Sequence, residues 1–167
     1  IALDPSSPST LREIALVQSR PRDRKFDDPF DFYMNRYDTE SDPGMRWQWF
    51  SAAFGYSSRR PFDAPRPRPS PGRFAAAARQ MLIEANRGDR RAFALYALSE
   101  HTDESLRSLC LNSLANDAAP EMRARALTIL HERYLDAEVL RALDEALLHD
   151  PAPMVRNYVV SLLERDL

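Results

Sequence analysis

Apolar residues in the second half of the chain fall into one pattern three times over. The segments 91–98, 123–130 and 156–163 each open on an arginine. They place apolar side chains three, four and seven positions later: Ala94, Leu95 and Leu98, then Ala126, Leu127 and Leu130, then Val159, Val160 and Leu163. Such spacing lines one face of a helix, so each segment predicts a helix with a buried stripe. The leading arginines, Arg91, Arg123 and Arg156, stand 32 and 33 residues apart. Upstream of each lies a second apolar register, with Leu82, Leu114 and Leu147 nine residues before the arginine and Ala78, Cys110 and Leu143 thirteen before it. A fixed period of this length with two helical registers inside it predicts helix pairs stacked side by side.

Polar or proline-containing breaks separate the two helices of each pair: Arg87-Gly88-Asp89, Asn116 to Pro120, and His149 to Pro153. Proline is tolerated in a helix's first turn and breaks its interior, so Pro120 and Pro153 mark starts. The predicted helices are 74–86, 90–99, 104–116, 121–133, 137–148 and 153–165. Residues 1–73 read differently. Thr10 and Glu13 have capping-box spacing ahead of Leu11, Ile14 and Leu16, which predicts one short helix over 10–19. Asp42 as N-cap with Pro43 at the first helical position predicts another, sharing Met45, Trp49 and Phe50 on one face. The stretch from Arg59 to Arg73, rich in proline and arginine, reads as a semi-rigid polyproline spacer.

Eleven of the sixteen aromatic residues lie between Phe26 and Phe62, a density at odds with a solvated linker. Two readings of these rings are open: they cover an exposed end of the helical stack, or they anchor in a partner's pockets. The candidate anchors are Trp47, Trp49, Phe50 and Phe54.

The residues that carry a family resemblance lie in the second half. Leu143 to Leu163, with His149-Asp150-Pro151-Ala152-Pro153 and Arg156, resembles a HEAT repeat. Leu114 to Leu130, with Asn116-Asp117 and Pro120-Glu121-Met122-Arg123, resembles the repeat before it. The resemblance spans residues 74–167 and implies an all-α fold: a short right-handed α-solenoid of about three HEAT-like helix pairs, preceded by a long and mostly irregular N-terminal arm (1–73). It also implies a ladder in which the turn aspartate pairs with the arginine of the same unit, Asp117 with Arg123 and Asp150 with Arg156. The first unit departs from the pattern, with Ala85 where the others have aspartate.

Charge and composition narrow the functions. The formal net charge is -2, and residues 74–167 carry fifteen acidic against eleven basic side chains, which argues against a nucleic-acid groove. Asp38, Glu40, Asp42 and Gly44 approach a calcium loop, but Gly44 falls one position late and Trp49 stands where the bidentate glutamate belongs. The three histidines have no ligand spacing, and Cys110, the single cysteine, sits at a core position. No catalytic constellation, metal site or cofactor is expected, and no run of residues is long and apolar enough to span a membrane. The chain opens on Ile1, which fits a removed leader or anchor, or a cut at that point. An exported bacterial protein of the cell envelope would suit the first.

Solenoids are generic binding surfaces. The expectation is therefore a non-catalytic scaffold or accessory subunit that binds partner proteins in a larger assembly through its arm and its solenoid face. A HEAT-like lyase handling a chromophore and a transient peptide-binding adaptor are the alternatives. On the solenoid, the residues two and five after each repeat arginine fall off the core stripe, giving Phe93, Arg125 and Tyr158 in one row and Tyr96, Thr128 and Ser161 in the other. Phe93, Tyr96, Arg125 and Tyr158 have hot-spot character.

Overall fold

Proline opens five of the eight α-helices among the described residues, at a position where its missing N–H has no intrahelical acceptor to lose. The computed structural model describes residues 29–58, 71–100 and 104–166, and every regular element there is helical. In order they are α1 (Pro29–Thr39), α2 (Pro43–Ser58), α3 (Pro71–Glu84), α4 (Gly88–Ser99), α5 (Glu104–Asn116), α6 (Pro120–Arg133), α7 (Ala137–His149) and α8 (Pro153–Leu163), closed by a 3₁₀ turn over Glu164–Asp166. The six helices expected over 74–165 correspond to α3 to α8, with no end displaced by more than three residues. The expected helix over 10–19 and most of the Pro-rich spacer lie outside the described residues. Among the described residues, no helix is long and apolar enough to cross a membrane.

The chain forms two compact units, Ile1–Ala77 and Ala78–Leu167, the division falling within α3. In the first, the expectation of a mostly irregular arm is corrected over 29–58, which is two helices joined by a three-residue connection. Phe30, Tyr33, Met34 and Tyr37 occupy one face of α1 and are all buried. Asp42 caps α2 as expected, its Oδ1 accepting from the Met45 amide at 2.8 Å. Met45, Trp49, Phe50 and Ala53 are buried on α2. Phe74, at the start of α3, completes the cluster: its ring stacks on Phe50 at 5.1 Å and lies 5.7 Å from that of Phe30. The Tyr37 hydroxyl donates to the Ala77 carbonyl at 3.3 Å. Large rings at helical spacing bury about 150–250 Å² each, enough apolar surface to order a segment that an extended reading would leave wet.

In the second unit, the arginine-led helices α4, α6 and α8 are neighbours in that order, α6 touching both others. α5 packs on α6 and α7 on α8. Ala94, Leu95, Leu98, Ala126, Leu127 and Leu130 are buried, and so are Ala78, Cys110 and Leu143 of the upstream register. Burying such a leucine contributes about 1.5–3 kcal/mol. The last unit departs from the stripe: Val159 is buried, Val160 is 42% exposed and Leu163 is half-buried. Gly88 answers a close approach, since a Cβ there would lie 2.5 Å from the Ala119 methyl.

Candidate functional site

The site begins with the repeat arginines. Each is the fourth residue of its helix, close to the turn that precedes it. Arg123 Nη1 donates to the carbonyl oxygens of Asp117 (2.8 Å) and Ala118 (3.2 Å), the turn of its own unit. Its Nε and Nη2 reach the next unit and hold Asp150 in a bidentate pair at 2.7 and 2.8 Å. Arg91 does the same to Asp117, at 2.9 and 2.8 Å. The expected pairing of Asp117 with Arg123 and Asp150 with Arg156 is thus corrected. Carboxylate pairs run from Arg91 and from Arg123 to the aspartate one unit later, whereas Arg123 and Arg156 meet the turn of their own unit through its carbonyls.

The geometry explains the offset. Asp117 and Asp150 each turn an Oδ1 onto the amide two residues on, Ala119 and Ala152, both at 2.8 Å. That bond fixes the carboxylate in its own turn, where its remaining lone pairs are met by the previous unit's guanidinium. The absence of an acid at Ala85 follows as well, because Arg91 finds its carboxylate at Asp117. Arg123 and Asp150 are both buried. The Arg123 guanidinium holds the Asp150 carboxyl below its ordinary value, and the Asp150 carboxylate in turn raises Arg123.

Along the same three helices the off-stripe residues meet diagonally. Arg125 lies over the Tyr96 ring, with its guanidinium carbon 4.8 Å from the centroid. Thr128 Oγ1 lies 3.0 Å from the Tyr158 hydroxyl and 3.1 Å from the Ala124 carbonyl, so it can donate to the carbonyl and accept from the tyrosine. In both contacts the residue five after one arginine meets the residue two after the next. The two expected rows are therefore interlocked. Tyr96 remains 37% exposed, and Phe93, Arg125 and Tyr158 are half-buried.

The N-terminal candidates are placed otherwise. Trp49, Phe50 and Phe54 are buried in the first unit, with Phe54 stacked on Phe74 at 6.1 Å. Trp47 is half-buried, its ring 6.3 Å from that of Phe50. The acids that approached a calcium loop are engaged in local structure: Asp38 receives Arg73 at 2.6 Å, Glu40 accepts from the Asp42 amide, and Asp42 caps α2.

Two further features were not singled out in the sequence. Arg107 of α5 donates to Asp136 (2.8 Å) and Glu138 (2.6 Å) at the start of α7, a second tie between helix pairs. Beside the ladder, α5 and α7 border a cavity of about 500 Å³ with Leu111, Leu114, Ala142 and Ala146 in its walls. Asp117, Arg123 and Asp150 also line it, already engaged in the ladder. Cys110 is fully buried, and burial pushes its thiol up to about 12, which keeps it protonated and unreactive.

No family model, curated protein or solved structure matches this chain.

Proposed function

We propose that this chain is a non-catalytic scaffold or accessory subunit, a short HEAT-like solenoid whose arginine-led helices present a protein-binding face to a larger assembly. The observation that carries the reading is the interlocked face of α4, α6 and α8, where Tyr96 and Arg125 stack and Thr128 and Tyr158 share a hydrogen bond. Tyrosine and arginine supply large contact area with a polar handle, the chemistry that dominates binding hot spots. The ladder supports the same reading. It ties the units through their turns and leaves Tyr96 exposed and Arg125 and Tyr158 half-buried, so the face is held in register before a partner arrives, which lowers the ordering cost of binding.

In this proposal the N-terminal unit takes part through Trp47, whereas Trp49, Phe50 and Phe54 hold the unit together. The test is the double change Phe93→Ala with Tyr158→Ala in the full chain. Native mass spectrometry of material purified from its source should show a stoichiometric protein partner, and the variant should lose it by at least about 2 kcal/mol of binding. The melting temperature should change little. An unaltered complex would send the search for the interface elsewhere, and a bound chromophore in place of a protein partner would overturn the proposal.

A further inference from the structure

Two polar ties hold α5 and α7 side by side. Near their first turns Arg107 donates to Asp136 and Glu138, and just past their last turns Arg123 joins the Asp117 carbonyl to the Asp150 carboxylate. Between the ties the facing side chains are short. Ala115 on α5 and Ala142 and Ala146 on α7 end at one methyl, where helices in full contact would interdigitate longer groups. The space left between them is the cavity of about 500 Å³, with Leu111 and Leu114 completing its apolar bed. Binding pockets run from about 300 to 1,000 Å³, so it has the size of one.

Charge at its edge is unbalanced. Of the carboxylates that line the cavity, Asp117 is paired with Arg91 and Asp150 with Arg123. Glu145 lines it too, stands exposed, and has no ion pair among the described residues. Arg141, one turn before it, bonds the Ala137 carbonyl instead. An apolar bed with one uncompensated carboxylate at its rim matches a long basic side chain, whose stem lies on apolar surface while its head stays in water, and it disfavours an anion. The volume leaves room beside that stem for a large apolar side chain.

We infer that the α5–α7 cavity is a docking pocket for a segment of a partner protein that carries an arginine or lysine beside a large apolar residue. Glu145 receives the cation, and Leu111, Leu114, Ala142 and Ala146 receive the apolar group. The inference rests on the reading of this chain as a protein-binding subunit, and it adds a contact on the helix layer that does not carry Tyr96 and Arg125.

Filling the cavity separates a binding pocket from a packing gap. Ala142→Leu with Glu145→Arg in the full chain should keep its helical circular dichroism and should weaken the binding of a stoichiometric partner by about tenfold or more. A folded variant that keeps every partner at full affinity shows a packing gap only and overturns the inference. For a filled variant that does not fold, Glu145→Arg alone, at an exposed position, decides: a loss of about fivefold supports the pocket, and none overturns it. Charge preference is read on the chain by itself. In NMR titrations acetyl-Trp-Arg amide should shift the methyl resonances of Leu111, Leu114, Ala142 and Ala146 and bind about fivefold more tightly than acetyl-Trp-Glu amide. Glu145→Gln should abolish that preference. Shifts spread over other surfaces, or equal binding of the two peptides, overturn the inference. A dimer of the natural chain that the filled variant abolishes overturns it in favour of a second copy. Retention of the partner here, with its loss in the Phe93→Ala, Tyr158→Ala variant, strikes the pocket and leaves the scaffold reading standing.

Discussion

Arg123 and Asp150 are taken out of water together, and a buried pair is far costlier to break than to replace whole. Asp150→Ala strands the guanidinium, and chemical denaturation should show a loss of about 3 to 5 kcal/mol. Asp117→Ala should cost less, roughly 1 to 2 kcal/mol, because the Arg91 side chain is about a quarter exposed and water can replace the carboxylate. Acid should act on the same bond. The Asp150 carboxyl is held below its ordinary value when folded, so its contribution is complete above the unfolded carboxylate value of about 3.9 and is lost as pH falls through the lower folded value. Asp150→Asn should therefore flatten the acid limb of the stability curve below about pH 4. This pairing was not legible in the sequence. Asp150 lies 6 residues before Arg156 and 27 after Arg123, and linear distance favours the nearer arginine. The farther one is the partner because the carboxylate is fixed in its turn by the Ala152 amide, facing the previous unit.

Helices were the most legible part of the chain, because α6 and α8 combine a proline start with an apolar stripe at spacings of three, four and seven. The helix that was missed, α1, has the same spacing in Phe30, Tyr33, Met34 and Tyr37. The stripe covers only eleven residues and is interrupted by acidic and basic side chains, so its period is weaker than that of α6 and α8. Burial then separates positions that the pattern makes equal. Leu127→Ala should destabilise by about 2 to 5 kcal/mol, whereas the equivalent Val160→Ala should cost less than about 1 kcal/mol, as comparative denaturant melts would show. Where α4 begins, packing and not backbone freedom sets the residue. Gly88→Val would drive a side chain into the Ala119 methyl, and thermal melts should report a loss of about 1 to 3 kcal/mol.

The two compact units divide what composition had joined or parted. Phe74, the first residue of the repeating half by sequence pattern, is a core residue of the N-terminal unit, where three aromatic side chains surround it. The helices of the second unit could be placed from the sequence because their apolar registers recur at 32 and 33 residues. The face they present could be named by position, through Tyr96, Arg125 and Tyr158, but its diagonal contacts could not. Which side chain meets which across α4, α6 and α8 depends on how far one helix is shifted along the next, and a single sequence carries no measure of that shift.

The one-unit offset of the arginine–aspartate pairs makes the last two repeats interchangeable links, each with an acceptor aspartate at one end and an arginine at the other. Excising residues 104–136 would join the end of one link to the start of another without breaking the alternation. Arg91 would then stand before Asp150 as it now stands before Asp117, and Asp103 would take the place in sequence of the α7 cap Asp136. The shortened chain should remain helical and unfold in a single, lower-temperature transition by circular dichroism. Asp150→Ala should cost the shortened chain about what Asp117→Ala costs the full one, since Arg91 is then its partner. A chain spliced out of phase, removing 104–120 instead, would leave the ladder's groups on the wrong faces and should not fold.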